Sequence, residues 1–266
     1  MELVQRPPHP ALASQVRSLA GWRERTDGPV RRNELPGARV VLILSFGPQM
    51  DVDERRFTSF VAGVHDTPTM TEHFGEGHGL EVYFSPVGAR RFFGMPMSEL
   101  SRRVVELENL LGREATELAE RLYEAPGWPA RLALMERVIA ARVLAAPPLP
   151  AELEWAWRRL HGTDGALPVG ALAGEVGWSR RHLSATVARE LGMPPKALAR
   201  ILRFERAVDR LRGGTGLAEV ALESGYYDQA HFNRDFKHFA GLTPTELPAG
   251  VTSTEPTSAV TAAEVA

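Results

Sequence analysis

Between Val176 and Arg212 stand nine basic side chains: Arg180, Arg181, Arg189, Lys196, Arg200, Arg203, Arg206, Arg210 and Arg212. Only Glu190, Glu205 and Asp209 oppose them, so the segment carries a net +6. A guanidinium group presents a planar fork of donors that matches phosphate oxygens and the acceptor edge of guanine. Further on, Gln229, Asn233 and Arg234 follow one another at helical spacing, and an amide so placed can pair with adenine. The whole chain masks this excess, because its 31 basic and 33 acidic residues leave only −2. Residues 1–150 hold 18 basic and 19 acidic side chains, a net −1. A basic stripe in an otherwise neutral protein is the footprint of a phosphate-binding face; the plain alternative is a solvated helix face.

Other chemistry is excluded by what is missing. The 266 residues contain no cysteine, which removes disulfides, thiolate-ligated zinc and thiol nucleophiles, and suits a reducing cytoplasm. There is no Gly-x-Ser-x-Gly, no His-Glu-x-x-His and no phosphate-binding P-loop, so no enzyme and no cofactor is implied. His65, Asp66, Glu72, His73 and His78 invite a metal reading, but their spacing matches no tight ligand motif, so no metal is assigned. The opening MELVQRPPHP lacks the pattern of a secretory leader, and the longest apolar stretch, Val40 to Phe46, is far too short to span a membrane.

The elements that must position the basic and amide side chains form an internal repeat. One copy reads Ala173-Gly-Glu-Val-Gly177-Trp-Ser179 and closes at Gly192-Met-Pro-Pro195; the other reads Ala221-Leu-Glu-Ser-Gly225-Tyr-Tyr-Asp228 and closes at Gly241-Leu-Thr-Pro244. In each, alanine lets two helices cross closely, glycine permits a sharp turn, and Ser179 or Asp228 is a natural N-cap for the helix that follows. Leu183 and Val187, and Phe232, Phe236 and Phe239, face inward at i, i+4 and i+7. This predicts two helix-turn-helix units, with a plain helical repeat as the alternative. Between them the pattern predicts a helix from Pro195 to Leu211, about 25 Å long. Such a spacer separates two recognition helices by about 34 Å, one turn of duplex DNA.

These residues resemble the AraC/XylS family of transcription regulators. The resemblance covers Leu153 to Leu247 and is most specific over Val220-Ala221-x-x-x-Gly225-Tyr226-x-Asp228-x-x-His231-Phe232-x-Arg234-x-Phe236-Lys237-x-x-x-Gly241-x-Thr243-Pro244. Arg203 to Leu211 is similar to the family's connecting helix. The first unit departs from the pattern: Ala185-Thr186-Val187-Ala188 stands where the family shows arginine-x-phenylalanine-lysine, and Leu247-Pro248 replaces a final tyrosine-arginine pair. The resemblance implies base contacts by Gln229, Asn233 and Arg234 in the second unit, and leaves Arg180, Arg181 and Ser184 as candidates in the first. Lys196, Arg200, Arg206 and Lys237 are its phosphate candidates, and His231 is expected to pack or cap. Double-stranded DNA is the implied partner, with a small-molecule effector, a second copy of the chain and RNA polymerase as further candidates.

Residues 1–146 read as an α+β domain, a small β-barrel or sandwich, loosely cupin-like, with helices after the strands. Strands are expected at Val40–Phe46, Phe57–Val64 and Leu80–Ser85, with Gly63, Gly75, Gly77, Gly79 and Pro86 as turns. Helical spacing follows in Val104, Leu107 and Leu111, in Leu118 and Leu122, and in Leu132, Met135, Ile139 and Val143. The helices around Leu107–Leu111 and Leu132–Val143 are candidates for a dimer interface. Glu34-Leu-Pro36, Phe60-Val-Ala-Gly63 and Pro86-x-Gly88-Ala-Arg90 resemble a domain of uncharacterised function that precedes such DNA-binding regions, and this implies a sensor or dimerisation role. Residues 147–150 form a proline-rich linker, 151–247 an all-α domain of two helix-turn-helix units joined by a helix, and 248–266 a tail too poor in apolar surface to fold. The leading reading is a regulator gated by an effector or by dimerisation. The competing readings are a small-molecule-binding barrel with a helical protein-interaction appendage, and a scaffold.

Overall fold

The computed structural model describes residues 2–247 and, as backbone, Ala259–Thr261. Its strands are β1 (Glu2–Arg6), β2 (Val16–Glu34), β3 (Val40–Ser45), β4 (Met50–Val52), β5 (Arg55–Phe57), β6 (Phe60–Ala62), β7 (Thr69–Phe84), β8 (Val104–Glu106) and β9 (Ala259–Thr261). They form one sheet along the path β1-β2-β7-β3-β6-β8, antiparallel at each pairing, which does not close on itself. The remainder of the tail expected at 248–266 lies outside the described residues.

Two long strands, β2 and β7, make the spine of this sheet, and both exceed what the apolar pattern predicts. The glycines expected as turns at Gly77 and Gly79 lie inside β7. They answer a need for close approach instead: a Cβ on Gly79 would overlap the Leu44 carbonyl, and one on Gly77 would sit 3.1 Å from the Trp22 ring. Val104, expected on a helix, belongs to β8, where the β-branched pair Val104-Val105 extends the sheet beside β6.

Helices α1 (Pro86–Phe93), α2 (Glu108–Leu111), α3 (Arg113–Glu124) and α4 (Gly127–Ala145) follow the strands. Strand residues alternate between faces. Leu42, Leu44, Leu80, Val82 and Phe84 are fully buried on the face that meets α1 and α4. Gly21 is on this face because any side chain there would overlap the Trp128 indole of α4. Leu107, Leu132, Met135, Ile139 and Val143, on the helices suggested for dimerisation, join the core together with Leu118 and Leu122, so these side chains are occupied within the chain.

After the extended residues 147–150 come α5 (Ala151–Gly162), α6 (Val169–Glu175), α7 (Arg180–Leu191), α8 (Pro195–Arg212), α9 (Leu217–Glu223) and α10 (Gln229–Ala240). Phe204, Phe232, Phe236 and Phe239 form their aromatic centre, with ring centroids 5.1 to 5.5 Å apart. Each such ring contributes roughly 1.5–3 kcal/mol by leaving water. One continuous cluster of buried residues runs from Leu12 in the sheet half to Leu242 in the helical half.

Candidate nucleic-acid interface

The two units repeat the same turn and the same cap. Gly177 and Gly225 take φ of +70° and +76° in the two turns, and Gly192 and Gly241 close α7 and α10 in the left-handed region. The hydroxyl of Ser179 accepts the His182 amide at 3.1 Å; the carboxylate of Asp228 accepts the His231 amide at 2.6 Å. The two histidines are third in their helices, and each meets the aromatic residue that follows the turn glycine. His182 lies edge-on to Trp178 with centroids 4.6 Å apart, and His231 to Tyr226 at 5.3 Å. His231 therefore packs, as expected.

The N-caps put matching residues in register: Arg180 with Gln229, Ser184 with Asn233, Ala185 with Arg234. Arg180, Arg181, Gln229, Asn233 and Arg234 are exposed, and Ser184 is half-buried, on the outer faces of α7 and α10. All the predicted base-reading side chains thus stand on the solvent side of two equivalent helices. Tyr227, 92% exposed just before the Asp228 cap, stands at the same edge, outside the residues that the sequence pattern marks. Its pairing with buried Tyr226 in the turn was the available signal.

The predicted phosphate residues divide. Lys196 and Lys237 are exposed. Arg200 instead spans from α8 to α10: its Nη2 donates to Asp235 Oδ1 at 2.9 Å, and its guanidinium lies 5.1 Å from the Phe239 ring centroid. The Asp235 carboxylate raises the pKa of Arg200 above that of a free guanidinium. Arg206 donates to Asp164 at 2.7 Å. Arg189 pairs with Glu190 and Arg210 with Glu223, so Arg189, Arg200, Arg206 and Arg210 of the +6 segment are held in ion pairs.

Three of these helices are tied to the sheet half. On α7, Glu190 accepts Arg90 of α1 at 2.6 Å; in the repeat it occupies the place of Phe239, where α10 has an apolar core residue. Burial works against its charge, but Arg90 and Arg189 hold the carboxyl below its usual range. On α8, the buried carboxylate of Glu205 meets both Arg17 at 3.0 Å and Arg39 at 3.1 Å. On α10, the last carbonyl, Ala240 O, accepts the Asn33 side chain at 2.9 Å. Of the histidines and acids between His65 and His78, Asp66 pairs with Arg102, Glu72 with Arg31 and His73 with Glu24. Among the described residues no helix is long and apolar enough to cross a membrane.

Comparison with known families finds a helix-turn-helix domain over residues 172–249 and a domain of unknown function (DUF6597) over residues 4–106. An uncharacterized HTH-type transcriptional regulator of Staphylococcus aureus strain MRSA252 is 35% identical over 81 residues, 30% of this chain and 11% of that protein. A counterpart in strain MSSA476 is 33% identical over the same length, so the chain spans about 11% of these relatives. Among solved structures, ToxT from Vibrio cholerae aligns over 86% of this chain and 96% of its own, at 11% identity and a TM-score of 0.45. The chain thus carries a helix-turn-helix domain, set behind a domain of unknown function.

Proposed function

We propose that the chain is a sequence-specific DNA-binding transcription regulator whose sheet half controls its helical half. The observation that carries this reading is the pair of equivalent, N-capped helices, each with base-capable side chains on its outer face. Arg180, Arg181 and Ser184 read one half-site; Gln229, Asn233 and Arg234 read the other. Lys196 and Lys237 take phosphates. The partner is double-stranded DNA, and RNA polymerase and a second copy of the chain are secondary partners. One chain already holds two recognition helices, so a single copy can address two half-sites one helical turn apart. The names of the S. aureus relatives support the regulatory role.

The test is selection of bound fragments from random duplex DNA with the full chain, followed by the same selection with Arg234→Ala. Wild type should return two half-sites about one turn apart. The variant should lose about 1–3 kcal/mol and relax preference at one base pair. An unchanged motif would remove Arg234 from base reading. Duplex binding that is absent, or indifferent to salt, would favour the competing barrel with a protein-interaction appendage.

A further inference from the structure

The face of the sheet turned away from α1 and α4 borders a cavity of about 130 Å3. Its walls include Trp22, Phe60 and Tyr83. Three carboxylates, Glu24, Glu34 and Glu81, line the same space against two guanidinium groups, Arg32 and Arg39. Glu24 engages Arg32 at 2.6 and 2.7 Å. Glu34 accepts the Thr71 hydroxyl at 3.2 Å, and burial shifts its carboxyl upward against the opposing effect of Arg32, Thr71 and Arg39. Arg39 lies over the Tyr83 ring, 4.8 Å from its centroid, so the protein's own cation already uses the aromatic wall. The lining therefore has one acid more than it has guanidiniums, with the imidazole of His73 against Glu24 and that of His65 nearby, beside an electron-rich face.

We propose that this cavity is an effector site for a small organic cation, a one-ring or short-chain ammonium held by Glu34 and Glu81 against the aromatic wall. The size fits, since a cavity of roughly 150 Å3 admits a benzene ring. The cavity is linked to the helical half through Arg39, which lines it and pairs with Glu205 of α8. Gly37, part of its lining, has no room for a Cβ, which would overlap the Arg39 guanidinium and lie 2.6 Å from Glu205 Oε1. A cation beside Glu34 and Glu81 weakens their pull on Arg39 and leaves that group to Glu205 on α8; an anion draws Arg39 the other way. Cations thus tighten this contact between the halves. That last step rests on the regulator reading above, whereas ligand binding itself does not.

The test is calorimetric titration of the full chain, without DNA, by benzylammonium, benzyl alcohol and benzoate, which share a ring and differ in charge. Benzylammonium should bind roughly tenfold more tightly than benzyl alcohol, and benzoate more weakly than either. Glu34→Gln, which keeps the shape of the side chain, should abolish most of that preference. Equal affinities, a preference for benzoate, or no binding by any of the three overturns the proposal. A parallel titration with duplex DNA separates the two ideas. Benzylammonium that binds without altering duplex affinity overturns the coupling, and a chain that binds no duplex at all refutes the regulator reading while calorimetry still decides the site.

Discussion

At the scale of single residues, the most informative group is Glu24 of β2. His73 approaches its carboxylate at 2.9 Å and Arg32 grips it with two hydrogen bonds. The hydrogen bond from His73, and then those from Arg32, hold its pKa at about 2 despite the opposing effect of burial. A carboxyl with a depressed folded pKa contributes stability that is present above its unfolded value and is lost as the pH falls through the folded one. Glu24→Gln should therefore lower the urea midpoint at pH 7, and the gap to wild type should shrink steadily below pH of about 4.5 and close near 2. A gap that persists unchanged at the acid end would show that shape, not charge, holds this group. The same bent strand brings together Glu24 and Arg32, eight positions apart, which no periodic reading of β2 anticipates.

At the scale of elements, helices and strands differ in how openly their sequence declares them. The two helix-turn-helix units were legible because their code is local: a cap, a left-handed glycine and an inward row each sit within one turn of the residue they serve. The long strands were not. Where β2 and β7 border the cavity their inward side chains include Glu24, Arg32, Thr71 and His73, so the apolar alternation that marks a strand is missing over those stretches. Residue type alone also does not separate the work of the basic residues within α8. Arg200 and Lys196 look alike as basic residues, yet Arg200 joins α8 to α10 through Asp235 and Lys196 faces outward. Measured against salt, Lys196→Ala and Lys237→Ala should each reduce the slope of duplex affinity by about 1. Arg200→Ala should leave that slope nearly unaltered and instead lower the midpoint of thermal unfolding, because it strands the buried Asp235 carboxylate.

For the whole molecule, the contacts between the halves matter more than the halves themselves. Buried Glu205, 3% exposed and shared by Arg17 and Arg39, is the kind of ion cluster in which loss of one partner costs about 3–5 kcal/mol. Gly37→Ala attacks it indirectly, since the new methyl group has no space beside Arg39 and Glu205. Hydrogen exchange along α8 should then accelerate while the cores of β3 and α4 remain protected, and duplex affinity should fall.

A body fixed at two points still turns about the line joining them, and a third fixing point off that line stops the rotation. Glu190, Glu205 and Ala240 are such fixings on three different helices. With the Glu205 contact weakened, the polar ties that remain at Glu190 and Ala240 lie at the C-terminal ends of α7 and α10, and the line between them is the expected axis of rocking. Rocking as one body about it would carry Arg180 and Gln229, at the opposite ends of those helices, together. Their separation is conserved and only their pitch towards the duplex changes. Gly37→Ala should accordingly bind DNA more weakly while preferring the same half-site spacing as wild type, and a shifted optimum in a series of spaced operators would show that the helices move apart instead.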